Sequence, residues 1–185
     1  MISDVEYIDD AFDNHFVEHF YEYFLANSNW KYGAKSIKEL HGARFFLSMT
    51  FDDYIIDDCP VTNYIKSVAE RQFDIKIKEY EDLYINGQTY ELDGHNHVDQ
   101  HIRDTETQKF TLMYMPNYHN ADKLGGFEFM HTTLIDYKPG RLILFPSNLP
   151  HRGLAPTIKY DMRMTLVWKN CTILRQKDNV TQLTA

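Results

Sequence analysis

The sequence predicts an α+β fold: a jelly roll of short antiparallel strands, buttressed by helices at its N-terminal end. Two observations carry this. Apolar and aromatic residues recur at helical spacing early in the chain, and from residue 76 the texture changes to short β-rich runs broken by turn residues. A third bounds the organisation. The chain has 185 residues, 43% hydrophobic and 15% aromatic, enough for one sizeable core, and no linker, repeat or low-complexity segment divides it. The expectation is one domain over 1–185, with helical and strand support over about 1–75 and a jelly-roll core over about 76–170.

In chain order, "DDAFDNHFVEHFYEYFLANSN" places Phe12, Phe16, Phe20 and Phe24 at helical spacing, after aspartates that suit a helix start. This aromatic stripe reads as core. His15 and His19 stand four apart on the same helix, but no Glu makes a His-Glu-x-x-His metal motif, so they read as surface or packing residues. "ARFFLSMTF" reads as a buried strand. Asp52, Asp53, Asp57 and Asp58 follow without the spacing of a calcium loop and read as a solvated turn. "CPVTNYIKSVAERQF" is a second helix with Pro60 near its start. The strand runs are "IKIKEYEDLYI", "KFTLMYM", "FEFMHTTLIDY", "GRLILFP" and "RMTLVWK". Asn86-Gly87, Gly125-Gly126 and Pro139-Gly140 read as turns between them.

Charge and cysteine content exclude several classes. With 19 basic and 27 acidic residues the net charge is −8, which disfavours broad nucleic-acid binding. Cys59 and Cys171 form no metal or disulfide framework, and a reducing, cytoplasmic setting is expected. "MISDVEYIDDAFD" lacks the apolar run of a signal peptide, and no stretch has the length of a membrane helix.

The chemistry concentrates in "GHNHVDQH". His95, His97, Asp99 and His101 alternate, as residues sharing one face of a strand would. A metal site needs a further ligand from a distant strand. His151 is the favoured one, because "PGRLILFPSNLPHRG" delivers it from a turn that follows an apolar strand. Two templates compete. A cupin-type set uses His95, His97 and His151, but its Glu a few residues on is missing, since the next Glu is Glu106. A two-histidine, one-carboxylate facial triad uses His97, Asp99 and His151 with no member missing and leaves coordination positions open.

"YINGQTYELDGHNHVD", "TLMYMPNY", "GGFEF", "KPGRLILFPSNLPHRG" and "YDMRMTLVWK" stand in an order that resembles the prolyl 4-hydroxylase-like branch of the iron(II)/2-oxoglutarate dioxygenases. The likeness runs from about Tyr84 to Lys169. It implies a double-stranded β-helix in which His97 and Asp99 lie near the start of one strand and His151 lies on a late one. His97, Asp99 and His151 would hold Fe(2+), with His95 and His101 as neighbours.

The resemblance further implies an oxidoreductase. 2-Oxoglutarate and O2 would be consumed, with ascorbate as an accompanying reductant. An unactivated C–H bond, that of peptidyl proline or of another protein or small-molecule substrate, would be hydroxylated with release of succinate and CO2. Arg163 and Thr165 resemble the family's Arg-x-Ser/Thr element for the distal carboxylate of 2-oxoglutarate, with Lys159 as the competing cation. Tyr114 and Tyr84 resemble family pocket tyrosines, and Trp168 reads as core. Arg152, Tyr118 and His119 are expected at the substrate rim, with residues 117–123 lining the entrance. The rival readings are a cupin-like metalloprotein or isomerase and a non-catalytic jelly-roll binding module.

Overall fold

The computed structural model describes residues 4–34, 44–51, 55–100 and 107–175. Its elements in order are β1 (Glu6–Ile8), α1 (Asn14–Asn27), β2 (Lys31–Ala34), β3 (Phe45–Ser48), α2 (Pro60–Gln72), β4 (Ile75–Glu79), β5 (Asp82–Thr89), β6 (Phe110–Tyr114), β7 (Gly126–Phe129), β8 (Thr133–Asp136), β9 (Leu142–Pro146), β10 (His151–Gly153) and β11 (Met162–Arg175). All strand pairs are antiparallel. The major sheet runs β1-β9-β6-β11-β5-β3-β2, with β4 pairing the far end of β11. A minor sheet runs β10-β7-β8. This is the expected jelly-roll arrangement with two helices, and the N-terminal segment supplies both edges of the major sheet as well as the helices.

The two helices start for legible reasons. The Asp13 carboxylate accepts the Phe16 N–H at 2.8 Å and caps α1. Pro60 begins α2, where a missing N–H costs nothing. Phe12 and Phe24 are buried, and Phe16 and Phe20 pack beside them with ring centroids 4.0 Å apart. His15 and His19 are exposed, as are Asp57 and Asp58 in a short 3-10 turn. Asp52, Asp53 and His101 lie outside the described residues.

Strand alternation divides the molecule into three layers. On β11, Met164, Leu166 and Trp168 face the helices together with Leu83, Ile85, Leu112, Tyr114, Leu142 and Leu144. Met113, Ile143, Phe145 and Val167 face the other way and meet Phe127, Phe129 and Ile135 of the minor sheet. A cavity lies in this second interlayer.

Three run boundaries differ from expectation. "IKIKEYEDLYI" is two strands, and "FEFMHTTLIDY" is a hairpin whose turn holds Met130 and His131 at φ 54° and 58°. β11 continues to Arg175, past the expected limit near 170. Asn86-Gly87 is not a turn: it lies inside β5, with Gly87 opposite Phe46 on one side and Met164 on the other. The glycine answers a close approach instead. A Cβ there would meet Met162 Sδ at 2.5 Å and Trp30 Cζ3 at 3.2 Å. Gly87→Ala should therefore destabilise by about 1–3 kcal/mol, the usual cost of overpacking, read from denaturant unfolding. A neutral result would mean that the Met162 side chain moves aside freely.

A candidate metal centre and its cavity

His97, Asp99 and His151 are brought together, with one ligand atom from each lying within 4.8 Å of the others. His97 Nε2 is 3.8 Å from Asp99 Oδ1, and His151 Nε2 is 3.7 Å from Asp99 Oδ2. It is the only such group among the described residues. His95 is not a member.

The loop from Asp93 to Gln100 is zipped onto the segment that carries His151. The Gly94 N–H donates to the Gly153 carbonyl, and Asp99 and Gln100 N–H groups both donate to the Ser147 carbonyl. His97 and His151 exchange backbone bonds, each N–H donating to the other's carbonyl at 2.9 Å. His97 and Asp99 thus sit in a tethered loop after β5, not at the start of a regular strand as expected. His95 contributes its carbonyl, which lies 2.9 Å from His97 Nδ1, while the Leu149 carbonyl does the same for His151 Nδ1. Each bond fixes the ring with Nδ1 protonated and leaves Nε2 as the lone-pair donor.

The carboxylate is held as firmly. Thr111 Oγ1 donates to Asp99 Oδ2 at 2.7 Å, and Ser147 Oγ lies 3.0 Å from the same hydroxyl. Asn170 Nδ2 reaches the Asp99 carbonyl at 3.3 Å, and Lys169 Nζ is 3.7 Å from Asp99 Oδ1. Burial pushes the His151 pKa below its ordinary value, against the pull of Asp99, so the ring stays neutral and able to ligate. Two imidazoles and one anchored carboxylate with converging donor atoms fit a divalent transition metal.

The cavity beside this cluster is lined by Tyr84, Asn86 and Gln88 of β5, Thr111 and Met113 of β6, Thr165 and Val167 of β11, and Phe127 and Gly153 opposite. Arg163 is fully buried against Gln88 and Gly153. Its Nη1 donates to Gln88 Oε1, and its guanidinium stacks 4.2 Å over the Phe127 ring. Among the described residues Nε and Nη2 have no hydrogen-bond partner, nor do the buried Thr165 Oγ1 and Asn86 Oδ1. Such orphaned groups are costly unless a ligand meets them. Burial lowers the Arg163 pKa to about 10, so the guanidinium remains charged at neutral pH. A cationic site with unmet donors fits a small dicarboxylate. Gly153 has no room to vary, since a Cβ would meet Gln88 Oε1 and stand 2.8 Å from Arg163 Nη1.

Other expected site residues lie elsewhere. Tyr84 lines the cavity, and burial raises its pKa well above the ordinary value, reinforced by Asp99 and Asp82. Tyr114 does not line it. On β6, Thr111 and Met113 take the cavity face, so Tyr114 points to the helical layer, its ring 5.2 Å from Phe12. Its buried hydroxyl has no hydrogen-bond partner there among the described residues. Tyr114→Phe should leave co-substrate affinity unchanged within about twofold and hold or raise the melting temperature, because it removes an unpaired polar group. A large rise in the co-substrate requirement would return Tyr114 to the cavity.

Arg152 alternates with His151 and Gly153 and therefore points off the minor sheet's outer face, where its Nε donates to Glu128 Oε2 at 2.5 Å. Tyr118 and His119 belong to a loop latched at the opposite end of β11 from Asp99. Asn117 Nδ2 donates to the Met162 carbonyl, Asn117 Oδ1 accepts the Met164 N–H, and His119 packs on Tyr21 of α1. The expected entrance at 117–123 is thus not beside the metal cluster. Lys159 is exposed, over the Tyr90 ring.

Asn86, Gln88, Thr111, Ser147 and Lys169 were not picked out from sequence. Period-two spacing from Tyr84 and from Arg163 reaches Asn86, Gln88 and Lys169 once the strands are known to be continuous.

No protein-family model and no curated protein sequence matches the chain. Solved structures do. A prolyl hydroxylase from Trichoplax adhaerens, in complex with a hypoxia inducible factor peptide fragment, superposes with TM-score 0.63 at 16% identity over 98% of this chain and 88% of its own. A prolyl 4-hydroxylase from Pseudomonas putida gives 0.60 at 12% identity over 90% and 92%. A viral collagen prolyl hydroxylase from Paramecium Bursaria Chlorella virus-1, as its 2OG complex, gives 0.54 at 16% over 93% and 96%. Among the described residues no helix is long and apolar enough to cross a membrane. At these identities the shared property is architecture: the chain has the double-stranded β-helix fold of the prolyl 4-hydroxylase-like 2-oxoglutarate/iron(II) oxygenases.

Proposed function

We propose that the protein is a non-haem iron(II)- and 2-oxoglutarate-dependent dioxygenase that hydroxylates an unactivated C–H bond. The observation that carries this reading is one interlayer holding both a bare His97–Asp99–His151 cluster and, against the cavity wall, a buried Arg163 with unmatched donors. When bound, iron and 2-oxoglutarate would supply the means of using O2 as the oxidant, one oxygen atom going to succinate as 2-oxoglutarate loses CO2 and the other to the substrate.

The chain's own residues do the rest. His97, Asp99 and His151 would hold the metal, with Thr111 fixing the carboxylate rotamer. Arg163 and Thr165, with Asn86 beside them, would bind the distal carboxylate. Tyr84 is a further candidate contact. The apolar wall of Met113, Phe127 and Val167 excludes water from the reacting end. One neighbour was solved with 2OG and another with a peptide fragment, which supports 2-oxoglutarate and a protein or small-molecule substrate as partners. A cupin-like site built on His95 has less support, because His95 stands outside the ligand cluster.

The test is substrate-independent. Purified protein with iron(II), ascorbate and 2-oxoglutarate is assayed for uncoupled succinate formation. Iron- and oxygen-dependent succinate that disappears in His151→Ala is the expected result. Reaction without 2-oxoglutarate would favour the isomerase reading, and absence of any metal binding would favour a non-catalytic module.

A further inference from the structure

The interlayer face of β11 carries Arg163, Thr165 and Val167, and the next residue in that alternation is Lys169. Immediately after it the strand bulges. Trp168 pairs with Leu112 and Cys171 with Phe110, and Asn170 takes a left-handed conformation at φ 55°. Bulges re-aim side chains next to functional sites. Here the Lys169 ammonium is 3.7 Å from Asp99 Oδ1, the oxygen that also faces His97. The side chain keeps 28% of its surface exposed, so it lies between the cluster and solvent. Asp99 is its only ion-pair partner among the described residues.

Charge accounting makes this lysine informative. Among the described residues Asp99 is the only carboxylate lining the cavity, with Asp93 and Asp82 acting on Arg163 and Tyr84 from outside it. A divalent metal bound to Asp99 draws on that charge and leaves Lys169 without its counter-ion. A 2-oxo dicarboxylate brings two negative charges, which the metal and Arg163 balance at its two ends. Asp99 reduces the remaining excess, yet one positive charge is still unmatched, and it sits on the solvent side of the metal. A partly desolvated cation selects a ligand of opposite charge.

We propose that Lys169 is a substrate-specificity residue and that the substrate carries a free carboxylate close to the C–H bond attacked. That describes a small acid or free amino acid, and it excludes an internal peptide residue without a carboxylate, such as proline. The inference rests on the oxygenase reading above.

The test loads the protein with Mn2+ and N-oxalylglycine, an unreactive analogue of 2-oxoglutarate. Acetate and propionate are then titrated against the uncharged acetamide and propionamide. Binding is read from the Mn2+-enhanced relaxation of the probe protons, with no turnover required. The acids should bind at least about tenfold tighter than the amides, as a charge-assisted hydrogen bond implies. Lys169→Gln should abolish that difference and Lys169→Arg should retain it.

Equal binding of acids and amides to the wild-type protein, or a preference that survives in Lys169→Gln, overturns the proposal. So does a loss of more than about tenfold in N-oxalylglycine affinity in Lys169→Gln, which would give the lysine to the co-substrate. A loss of Mn2+ affinity with unchanged acid preference would reduce Lys169 to a strut for Asp99. Failure of N-oxalylglycine to bind the Mn2+-loaded protein at all would instead remove the oxygenase reading, and this proposal with it.

Discussion

Asp99→Ala is expected to leave a folded protein with no measurable iron(II) affinity and no turnover. The substitution removes one of only three clustered ligand groups and the only carboxylate among them. It also takes one hydrogen-bond partner from Thr111 Oγ1, which keeps Ser147, and the counter-ion from Lys169. The loss should exceed the 10- to 100-fold typical of removing an outer partner of a metal ligand. Thr111→Val supplies that smaller comparison. His151→Ala should behave as Asp99→Ala does, whereas His95→Ala should keep the metal, because only the His95 carbonyl supports His97. Anaerobic titration of iron(II), or of cobalt(II) by absorbance, measures all four. Loss of metal in His95→Ala with retention in Asp99→Ala would reinstate the three-histidine set.

Arg163→Leu should raise the 2-oxoglutarate requirement by about 30- to 5,000-fold while sparing the metal. The range follows from the roughly 2–5 kcal/mol lost when one member of a buried, hydrogen-bonded charge pair is removed. Leucine cannot meet a desolvated carboxylate, and it leaves Gln88 Oε1 without its present donor. Equilibrium binding of 2-oxoglutarate to the Mn2+-loaded variant separates this from a folding defect, and a thermal transition confirms the fold. Lys159→Leu should change neither quantity, since that side chain is exposed over Tyr90. A large effect at Lys159 with a small one at Arg163 would mean that the dicarboxylate binds elsewhere.

Much of this was legible because periodicity and residue chemistry agreed. The aromatic stripe of α1, Pro60 at the head of α2 and the five β-rich runs each follow from local spacing, and the wide separation of His151 from His97 and Asp99 did not hide their shared chemistry. The differences between expectation and structure have one origin, which is strand parity. A turn dipeptide inside β5 hid the continuity that places Tyr84, Asn86 and Gln88 on one face. Tyr114 is expected in the pocket from its company in a motif, yet its neighbour Met113 occupies the cavity face. Arg152 follows a ligand and for that reason points away from it. A one-residue displacement moves a side chain to the opposite face of a sheet, and nothing in a single sequence fixes that register. The bulge that presents Lys169 depends on a left-handed Asn170, which no local signal marks.

The reciprocal backbone bonds between His97 and His151 tie together two segments separated by β6, β7, β8 and β9. During synthesis, His97 and Asp99 emerge well before the strand that carries the last ligand. Non-local pairing of this kind is slow, because loop closure must precede the contacts that reward it. Two donors on a loop not yet tethered to its partner strand make a poor trap for a cation, so the growing chain has little means of capturing metal early. On the proposed function, metal uptake would then be a late checkpoint that only a chain with β10 docked can pass. In refolding experiments, metal-dependent protection should lag behind recovery of secondary structure, and the metal should act as a reporter of completed assembly rather than as its nucleus.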